Sequence, residues 1–388
     1  MSNPDRLRRA IAILDDLVAF PSISSDSNLP IARYLADRLT ALGATVQMLP
    51  DPGGQKANIF ATFGPAGDGG IVLSGHTDVV PVADQNWATD PFRLHERDGR
   101  LFGRGTCDMK GFVAAIMATA SDWSGAPLRR PLHLALTHDE EVGCLGAAAL
   151  VDWLRSGGLR PAMALVGEPT GMGIVEGHKG CNEYTTVLTG LEGHGSAPDN
   201  GVNAAEYALL YAARLVELRE ELKARAPAHG RFDPPWTTIN LGRIAGGTAH
   251  NVIPGRAEID WDLRPVSPED AEFVLDRIDR FAAETLLPRM QARHPEAGIA
   301  RRVIGETVGF APAARNAARD LLTALTGANA ASVVAFGTEA GLFQSLPMDV
   351  AICGPGDIAQ AHKPDEFLEV AQLAACLSML EGLTSHLQ

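Results

Sequence analysis

Cysteine is scarce in this sequence of 388 residues, and its few thiols are not arranged as a disulfide framework. The cysteines are odd in number, lie far apart and include no CxxC pair; they are Cys107, Cys144, Cys181, Cys353 and Cys376. This pattern is typical of reduced thiols packed inside a cytoplasmic protein. Asp15 and Asp16 interrupt the apolar residues near the N-terminus, so we also expect no secretory signal.

The sequence also has fewer positively than negatively charged residues and contains no long hydrophobic run. The 33 Lys and Arg residues against 47 Asp and Glu residues give a formal net charge of −14 at pH 7. No local cluster of Lys and Arg offsets this negative charge, so the protein is a poor candidate for binding nucleic acid. The longest uncharged stretch, 321–338, is broken by Gly327 and Asn329 and predicts a helix, a loop and a strand, so we expect no membrane span.

The composition is otherwise that of an ordinary globular protein. Hydrophobic residues make up 46% of the chain and charged residues 21%, which is enough apolar surface to build a core. At roughly 100–200 residues per domain, the length predicts two domains.

The first 180 residues alternate predicted strands and helices. Apolar runs at 71–74 and 132–137 predict strands buried on both faces, and 58–63 predicts a further strand. Helices are predicted near 4–18, 111–120 and 145–154. This alternation favours an α/β fold with a mostly parallel sheet.

The pattern changes after residue 180. A long helix is predicted at 202–224, and 256–264 alternates strictly, with Ile259, Trp261 and Leu263 on one face. Such alternation predicts an antiparallel strand with one face packed and one exposed. Alternating helices and strands are predicted again after residue 306. We therefore predict an α/β domain in two parts, 1–180 and 307–388, interrupted by an α+β insertion at 181–306.

Histidines and acids gather in five short segments that follow predicted strands or lie in glycine-rich loops. They are His76 with Asp78, Asp108, Glu140 with Glu141, Glu168, and His362. Singly, each has an ordinary explanation, such as a packed histidine, a helix N-cap at Asp108 or a solvated acidic loop. Ligands of open α/β sheets gather at the carboxyl ends of strands, however, and a mixed nitrogen and oxygen donor set suits zinc or a similar ion. Five ligands with one shared carboxylate suit two ions, a recurrent device for hydrolysis.

Taken as a set, these motifs resemble the M20 metallopeptidase and amidohydrolase family, and within it the acetylornithine deacetylase type. The resemblance runs from LVAFPSISS at 17–25 to GPGDIAQAHKPDEF at 354–367, and includes GCLGA at 143–147 and FGTEAG at 336–341. It implies a zinc-peptidase-like catalytic domain with a mostly parallel central sheet, interrupted by an inserted α+β lid or dimerisation domain.

The resemblance also implies a dinuclear centre of two Zn²⁺ ions, with Co²⁺ as an alternative. One ion would be bound by His76, Glu168 and a bridging Asp108, and the other by Glu141, His362 and the same Asp108. Asp78 would support His76, and Glu140 would be the general base. A cis peptide bond is expected between Asp108 and Met109.

Further roles follow for the insertion and for one residue beyond it. His194, in GHGSAP, would reach the active site of a neighbouring subunit and stabilise the oxyanion, which makes a homodimer through the lid the expected assembly. Asn251 and Arg264 match positions that bind the substrate carboxylate, for which the guanidinium fork is suited. Thr338 is also expected at the substrate. His250 departs from the family pattern, in which a smaller or apolar residue precedes the asparagine.

The implied reaction is hydrolysis of an N-acyl amino acid, with N2-acetyl-L-ornithine in arginine biosynthesis as the first expectation. Deacylases of acetyl-diaminobutyrate or succinyl-diaminopimelate, and a dipeptidase, stay open, because small pocket changes move specificity by only about 1–3 kcal/mol. A metal-binding module without catalysis is more remote, since such a site has no need of the non-ligand Glu140. A serine hydrolase is disfavoured, because no GxSxG motif is present.

Overall fold

The computed structural model describes residues 3–388, which fall into two compact units. The first unit runs to Gly177 and resumes over Pro312–Val333 and Thr338–Gln388. The second comprises His178–Ala311 and Val334–Gly337. The domain limits expected at 180 and 306 stay a prediction.

Strands and helices alternate along much of the described chain. The strands are β1 (Thr45–Pro50), β2 (Ala57–Phe63), β3 (Ile71–His76), β4 (His95–Arg97), β5 (Arg100–Phe102), β6 (Leu132–Thr137), β7 (Met163–Pro169), β8 (Ile174–His178), β9 (Cys181–Thr189), β10 (Gly193–His194), β11 (Thr238–Gly246), β12 (Val252–Ile253), β13 (Arg256–Arg264), β14 (Gly298–Thr307), β15 (Ala331–Val334), β16 (Asp349–Gly354) and β17 (Phe367–Glu369). The helices are α1 (Asn3–Val18), α2 (Leu29–Ala41), α3 (Gly111–Trp123), α4 (Leu145–Gly157), α5 (Ala204–Ala224), α6 (Pro268–Phe281), α7 (Leu287–Gln291), α8 (Ala317–Thr326), α9 (Ala340–Gln344) and α10 (Val370–Leu387).

An eight-stranded sheet forms the centre of the first unit, in the order β1-β2-β6-β3-β7-β16-β8-β15. Its four middle strands, β6, β3, β7 and β16, are parallel to one another, whereas β2 runs antiparallel to β6 and β8 antiparallel to β16. Every residue of β3, β6 and β7 is buried, which explains why these strands are nearly continuous apolar runs in the sequence. The chain thus has the predicted α/β fold with a mostly parallel central sheet.

Helices cover this sheet and complete the core of the first unit. Helix α3 packs against both α1 and α10, and α8 packs against β16. Helix α3 is buried along almost its whole length, and because the consecutive residues 112–115 are all buried, every side of the helix is covered. Such a helix is apolar all round rather than amphipathic, as the sequence at 111–120 indicated.

The second unit is built on a four-stranded antiparallel sheet, in the order β11-β13-β9-β14, with α5 packed against three of its strands. Strand β13 alternates as predicted: Ile259, Trp261 and Leu263 are buried, and the residues between them are partly exposed. The Trp261 indole N–H donates to Thr186 Oγ1 at 3.0 Å, so its polar atom is satisfied inside the core.

Two strands of this sheet, β11 and β14, were not predicted from the sequence. Both lie at the edges of the sheet, and most of their residues are partly or fully exposed. An edge strand with little burial lacks the alternation by which β13 is recognised. In the part of the chain that the structure describes, no helix combines the length and apolar character that a membrane span requires.

Candidate metal centre

The parallel strands at the centre of the large sheet bring their carboxyl ends to one edge. His76 ends β3 and lies beside Thr137, the last residue of β6, so the acids that follow β6 reach the same place. Glu168 lies near the end of β7, and the loop after β16 carries His362. Because these strands are parallel, residues far apart in sequence converge there.

The first cluster of donor atoms consists of His76, Asp108 and Glu168, with one donor atom from each lying within 4.8 Å of the others. His76 Nε2 lies 3.0 Å from Asp108 Oδ1 and 3.9 Å from Glu168 Oε1. All three side chains are buried. One nitrogen and two carboxylate oxygens at this spacing are a donor set that a divalent ion can share.

The second cluster consists of Asp108, Glu141 and His362, again within 4.8 Å of one another. His362 Nε2 lies 2.9 Å from Glu141 Oε2 and 3.4 Å from Asp108 Oδ2. Asp108 therefore turns one carboxylate oxygen towards each cluster. All five residues predicted as metal ligands come together, and Asp108 occupies the shared position.

The electrostatics of these clusters suit cations. Burial raises the pKa of Glu168 well above its usual range, and the negative charges of Asp108 and Glu140 raise it further. Burial likewise raises the pKa of Glu141 to about 7, with Asp108 as the next cause. Glu168 Oε1 is buried with no hydrogen-bond partner among the described residues. Crowded carboxylates and an orphaned buried oxygen are the environment that a pair of divalent ions neutralises. The residues present thus fit the dinuclear centre implied by the sequence.

Asp78 orients the His76 ring through contacts with Nδ1, the ring nitrogen that does not face Asp108 and Glu168. Its Nδ1 lies 2.9 Å from the backbone carbonyl oxygen of Asp78 and 3.6 Å from carboxylate Oδ1. A hydrogen bond from Nδ1–H to that carbonyl leaves the Nε2 lone pair facing Asp108 and Glu168. The nearer contact therefore comes from the backbone of Asp78 and not from its carboxylate.

The Asp78 carboxylate is used instead to hold the acidic segment after β6. It accepts hydrogen bonds from Ser24 Oγ at 2.7 Å and from the backbone N–H groups of Glu140 and Glu141 at 3.2 and 3.3 Å. Burial opposes ionisation of Asp78, but the hydrogen bond and charge of His76, together with these donors, lower its pKa. Asp78 thus links His76 to the segment that carries two further acids.

Glu140 lies beside the clusters without belonging to either. Its Oε1 accepts a weak hydrogen bond from Cys144 Sγ at 3.5 Å. Burial raises the pKa of Glu140 well above its usual range, partly offset by His76 and reinforced by the charges of Glu141 and Asp108. A carboxyl group that favours its protonated form next to a metal centre can take up and return a proton.

Two buried acids near the centre were not singled out from the sequence. Glu339 accepts hydrogen bonds from the hydroxyl groups of Ser74 on β3 and Thr137 on β6. Glu366 accepts hydrogen bonds from backbone N–H groups of the turn that contains Asp108. Both lie within motifs that resemble the family, at 336–341 and 354–367, and that position was the signal available. The cis peptide bond expected at Asp108–Met109 is present.

The remaining predicted residues lie elsewhere. Thr338 is buried, and its Oγ1 accepts a hydrogen bond from the Ala340 N–H at 3.1 Å, at the start of α9. In the second unit, β10 pairs with β12, and the Gly195 N–H donates to the Asn251 carbonyl at 2.7 Å, so His194 and Asn251 lie on adjacent segments.

Of these side chains, that of His194 is exposed and that of Arg264 is partly exposed. His194 is exposed, and its Nδ1 lies 2.7 Å from Ser196 Oγ. Arg264 ends β13 beside Asp262, with 3.4 Å between Nε and Oδ1.

Comparison with known proteins identifies the family. Residues 72–386 match the model of peptidase family M20/M25/M40. The chain belongs to this family. An acetylornithine deacetylase of Shigella sonnei (strain Ss046) is 37% identical over 389 residues, covering 98% of this chain and 98% of the relative. The resemblance drawn from the sequence motifs is thereby confirmed.

Solved structures of M20 proteins share the fold. The M20 family metallo-carboxypeptidase Sso-CP2 from Sulfolobus solfataricus is 17% identical, with a TM-score of 0.75, over 97% of this chain and 98% of that chain. Bacillus subtilis YXEP, a dinuclear metal binding peptidase from the M20 family, is 17% identical, with a TM-score of 0.64, over 98% of both chains. The fold thus agrees with the family match, which shows the chain to be an M20 hydrolase.

Proposed function

We propose that this protein is a two-metal amidohydrolase that removes the acyl group from an N-acyl amino acid, with N2-acetyl-L-ornithine as the preferred substrate. The products would be L-ornithine and acetate. The observation that carries the proposal is the pair of donor clusters that share Asp108, with Glu140 beside them and outside both. The 37% identity to an acetylornithine deacetylase over nearly the whole chain supports the choice of substrate.

His76, Asp108 and Glu168 would hold one ion, and Asp108, Glu141 and His362 the other. Zn²⁺ is our first choice and Co²⁺ the alternative, because both suit mixed imidazole and carboxylate ligands. When bound, the ions would lower the pKa of water and polarise the acyl carbonyl.

Glu140 is the proposed general base. It takes a proton from the attacking water on a carboxylate oxygen and returns that proton to the nitrogen of the leaving amine. Both transfers need a carboxyl group that changes protonation near neutral pH. The raised pKa of Glu140, which burial causes, supports this assignment. The hydrogen bonds from the Glu140 and Glu141 N–H groups to Asp78 would keep the base next to the ligand Glu141.

Residues 181–306 would contribute to substrate binding and form a homodimer. Arg264 and Asn251 would bind the substrate carboxylate, Arg264 through two parallel hydrogen bonds. His194 would donate to the oxyanion from a neighbouring subunit. The exposure of His194 and Asn251 supports such contacts. Thr338 would act through the backbone at the start of α9, because its hydroxyl is engaged there.

A substrate panel with and without chelator tests the proposal. N2-acetyl-L-ornithine, acetyl-diaminobutyrate, succinyl-diaminopimelate and a dipeptide are compared by kcat/KM. We expect acetylornithine to be the best substrate, activity to be lost after treatment with a chelator, and Zn²⁺ or Co²⁺ to restore it. Activity that survives complete removal of metal would refute the mechanism, and a strong preference for another panel member would replace the substrate.

A further inference from the structure

The carboxylate of Glu366 holds the turn that carries the shared ligand Asp108. Its Oε1 accepts from the backbone N–H groups of Cys107 at 2.8 Å and Asp108 at 3.0 Å, and its Oε2 accepts from that of Gly105 at 3.0 Å. The Gly103 N–H also donates to the Glu366 carbonyl at 3.0 Å. Backbone and side chain of one residue therefore fix the turn.

Arg104 ties this carboxylate to the loop that carries His362. Its Nη1 donates to Glu366 Oε2 at 2.7 Å and to the Lys363 carbonyl at 3.3 Å, and both charged side chains are only 1% exposed. Its Nη2 donates to Gln85 Oε1 at 2.6 Å, and Gln85 Nε2 donates to the His362 carbonyl at 2.9 Å. The turn of Asp108 and the loop of His362 are thus joined through one buried ion pair.

The two metal clusters differ in how their ligands are held. His76 and Glu168 lie on the buried neighbouring strands β3 and β7, so the sheet itself sets their spacing. His362 lies in a loop with φ of 62°, in the left-handed region, and more than half of its side chain is exposed. The sheet does not set the distance between His362 and Asp108, whereas the Glu366–Arg104 pair contacts both of their segments.

We propose that Glu366 is a positioning residue which, with Arg104, sets the spacing of Asp108 and His362 and so tunes the affinity of the metal site at Asp108, Glu141 and His362. The metal affinity of the other site, at His76, Asp108 and Glu168, depends less on Glu366. This inference rests on the two-metal centre proposed above. Residues that orient metal ligands typically alter metal affinity about 10–100-fold when replaced.

Glu366→Gln is the informative substitution, because it keeps the shape of the side chain and changes its hydrogen bonding. The carboxylate accepts four N–H groups, two on each oxygen. An amide has one acceptor oxygen, and its NH₂ group would face two N–H donors. The turn or the loop must then shift.

The experiment measures binding of Zn²⁺ to the metal-free protein in competition with a chromophoric chelator. We expect the unaltered protein to bind two ions, and Glu366→Gln to bind one of them about 10–100-fold more weakly while the other changes less than about threefold. Glu141→Gln identifies the weakened ion, because it removes a ligand of the second cluster only. The matched control is Glu176→Gln, which removes the charge of another ion pair of the first unit, between the buried Glu176 and the partly exposed Arg319 at 2.8 Å. It should change unfolding of the metal-free protein and leave both affinities unchanged.

The outcomes separate the inference from the proposed function. If Glu366→Gln binds both ions as tightly as the unaltered protein, or weakens both equally, the positioning role is refuted. If it does not fold, Gln85→Ala decides, since it removes the contacts to the His362 carbonyl and Arg104, together with the hydrogen bond from the Trp87 indole N–H, and leaves Glu366 in place. A selective loss of one ion supports the role, and unchanged binding refutes it. An unaltered protein that binds fewer than two ions would refute the metal pair itself, and the inference with it.

Discussion

His133 makes the stability of this protein sensitive to acid. It lies on β6, the strand that leads to the acids of the metal centre, and its side chain is buried against Phe60, with ring centroids 5.0 Å apart. Its Nδ1 lies 2.9 Å from Thr62 Oγ1, and Nε2 has no hydrogen-bond partner among the described residues. Only one of the two ring nitrogens is therefore hydrogen-bonded.

Burial lowers the pKa of His133 from its usual 6.5 to about 4. Between these values the unfolded chain binds a proton that the native protein excludes, so the free energy of unfolding falls as the pH falls. The loss begins near pH 6.5 and is complete near pH 4. At 1.36 kcal/mol per pKa unit, it amounts to about 3 kcal/mol in full, and to about 2 kcal/mol by pH 5.

His133→Asn isolates this effect, because the amide can still contact Thr62 and does not titrate. Urea unfolding of the metal-free protein and the variant is compared from about pH 7.5 to about pH 5, followed by tryptophan fluorescence. Trp153 packs against Phe60, with ring centroids 5.2 Å apart, and so reports on this region. We expect the variant to be less stable at neutral pH and to lose about 2 kcal/mol less than the unaltered protein on acidification.

The control is His95→Asn, at an exposed histidine of the same unit, which should follow the unaltered protein at every pH. Carboxylates of the metal centre also titrate in this range. All three proteins contain them, so their contribution cancels when the unfolding free energy of a variant is subtracted from that of the unaltered protein. If the stability difference between His133→Asn and the unaltered protein is the same at every pH, the histidine is not held neutral by burial and the reasoning fails.

Two further predictions concern catalysis. Glu140→Asp withdraws the carboxylate by one methylene, so kcat should fall by about 10²–10⁴ while zinc content measured by elemental analysis is unchanged; near-normal turnover would remove Glu140 from its role. His194→Ala should reduce kcat by about 10²–10³, and mixing it with inactive Glu140→Gln subunits should restore roughly a quarter of full activity. Half of the dimers then contain one subunit of each variant. In each of these dimers, one of the two active sites has both Glu140 and the histidine of the partner subunit. No recovery on mixing would show that His194 does not act across the dimer.

The elements that the sequence predicted well are those in which burial imposes a periodicity. Strands β3 and β6 are nearly continuous apolar runs because both of their faces are covered, and β13 alternates because only one of its faces is covered. Strands β11 and β14 were not predicted. They lie at the edges of their sheet, where little of either face is buried, so their sequences show no alternation of apolar and polar residues.

The candidate site divides in the same way. His76, Glu141 and Glu168 are conspicuous in sequence, because each is a polar residue at the end of an apolar run. Glu366 carries no such signal: its importance comes from four N–H groups that surround it only after the loop after β16 meets the turn of Asp108. Hydrogen bonds between segments more than 250 residues apart have no local pattern.

The sequence alone determined which side chains could bind metal and which family the motifs resemble, because donor chemistry belongs to the residue itself. The tertiary structure decided that Asp108 is shared between two clusters, that Asp78 contacts His76 through its carbonyl, and that Glu366 joins two ligand-bearing segments. The first and last of these are distances between residues remote in the chain, and they exist only once the parallel strands have set their register.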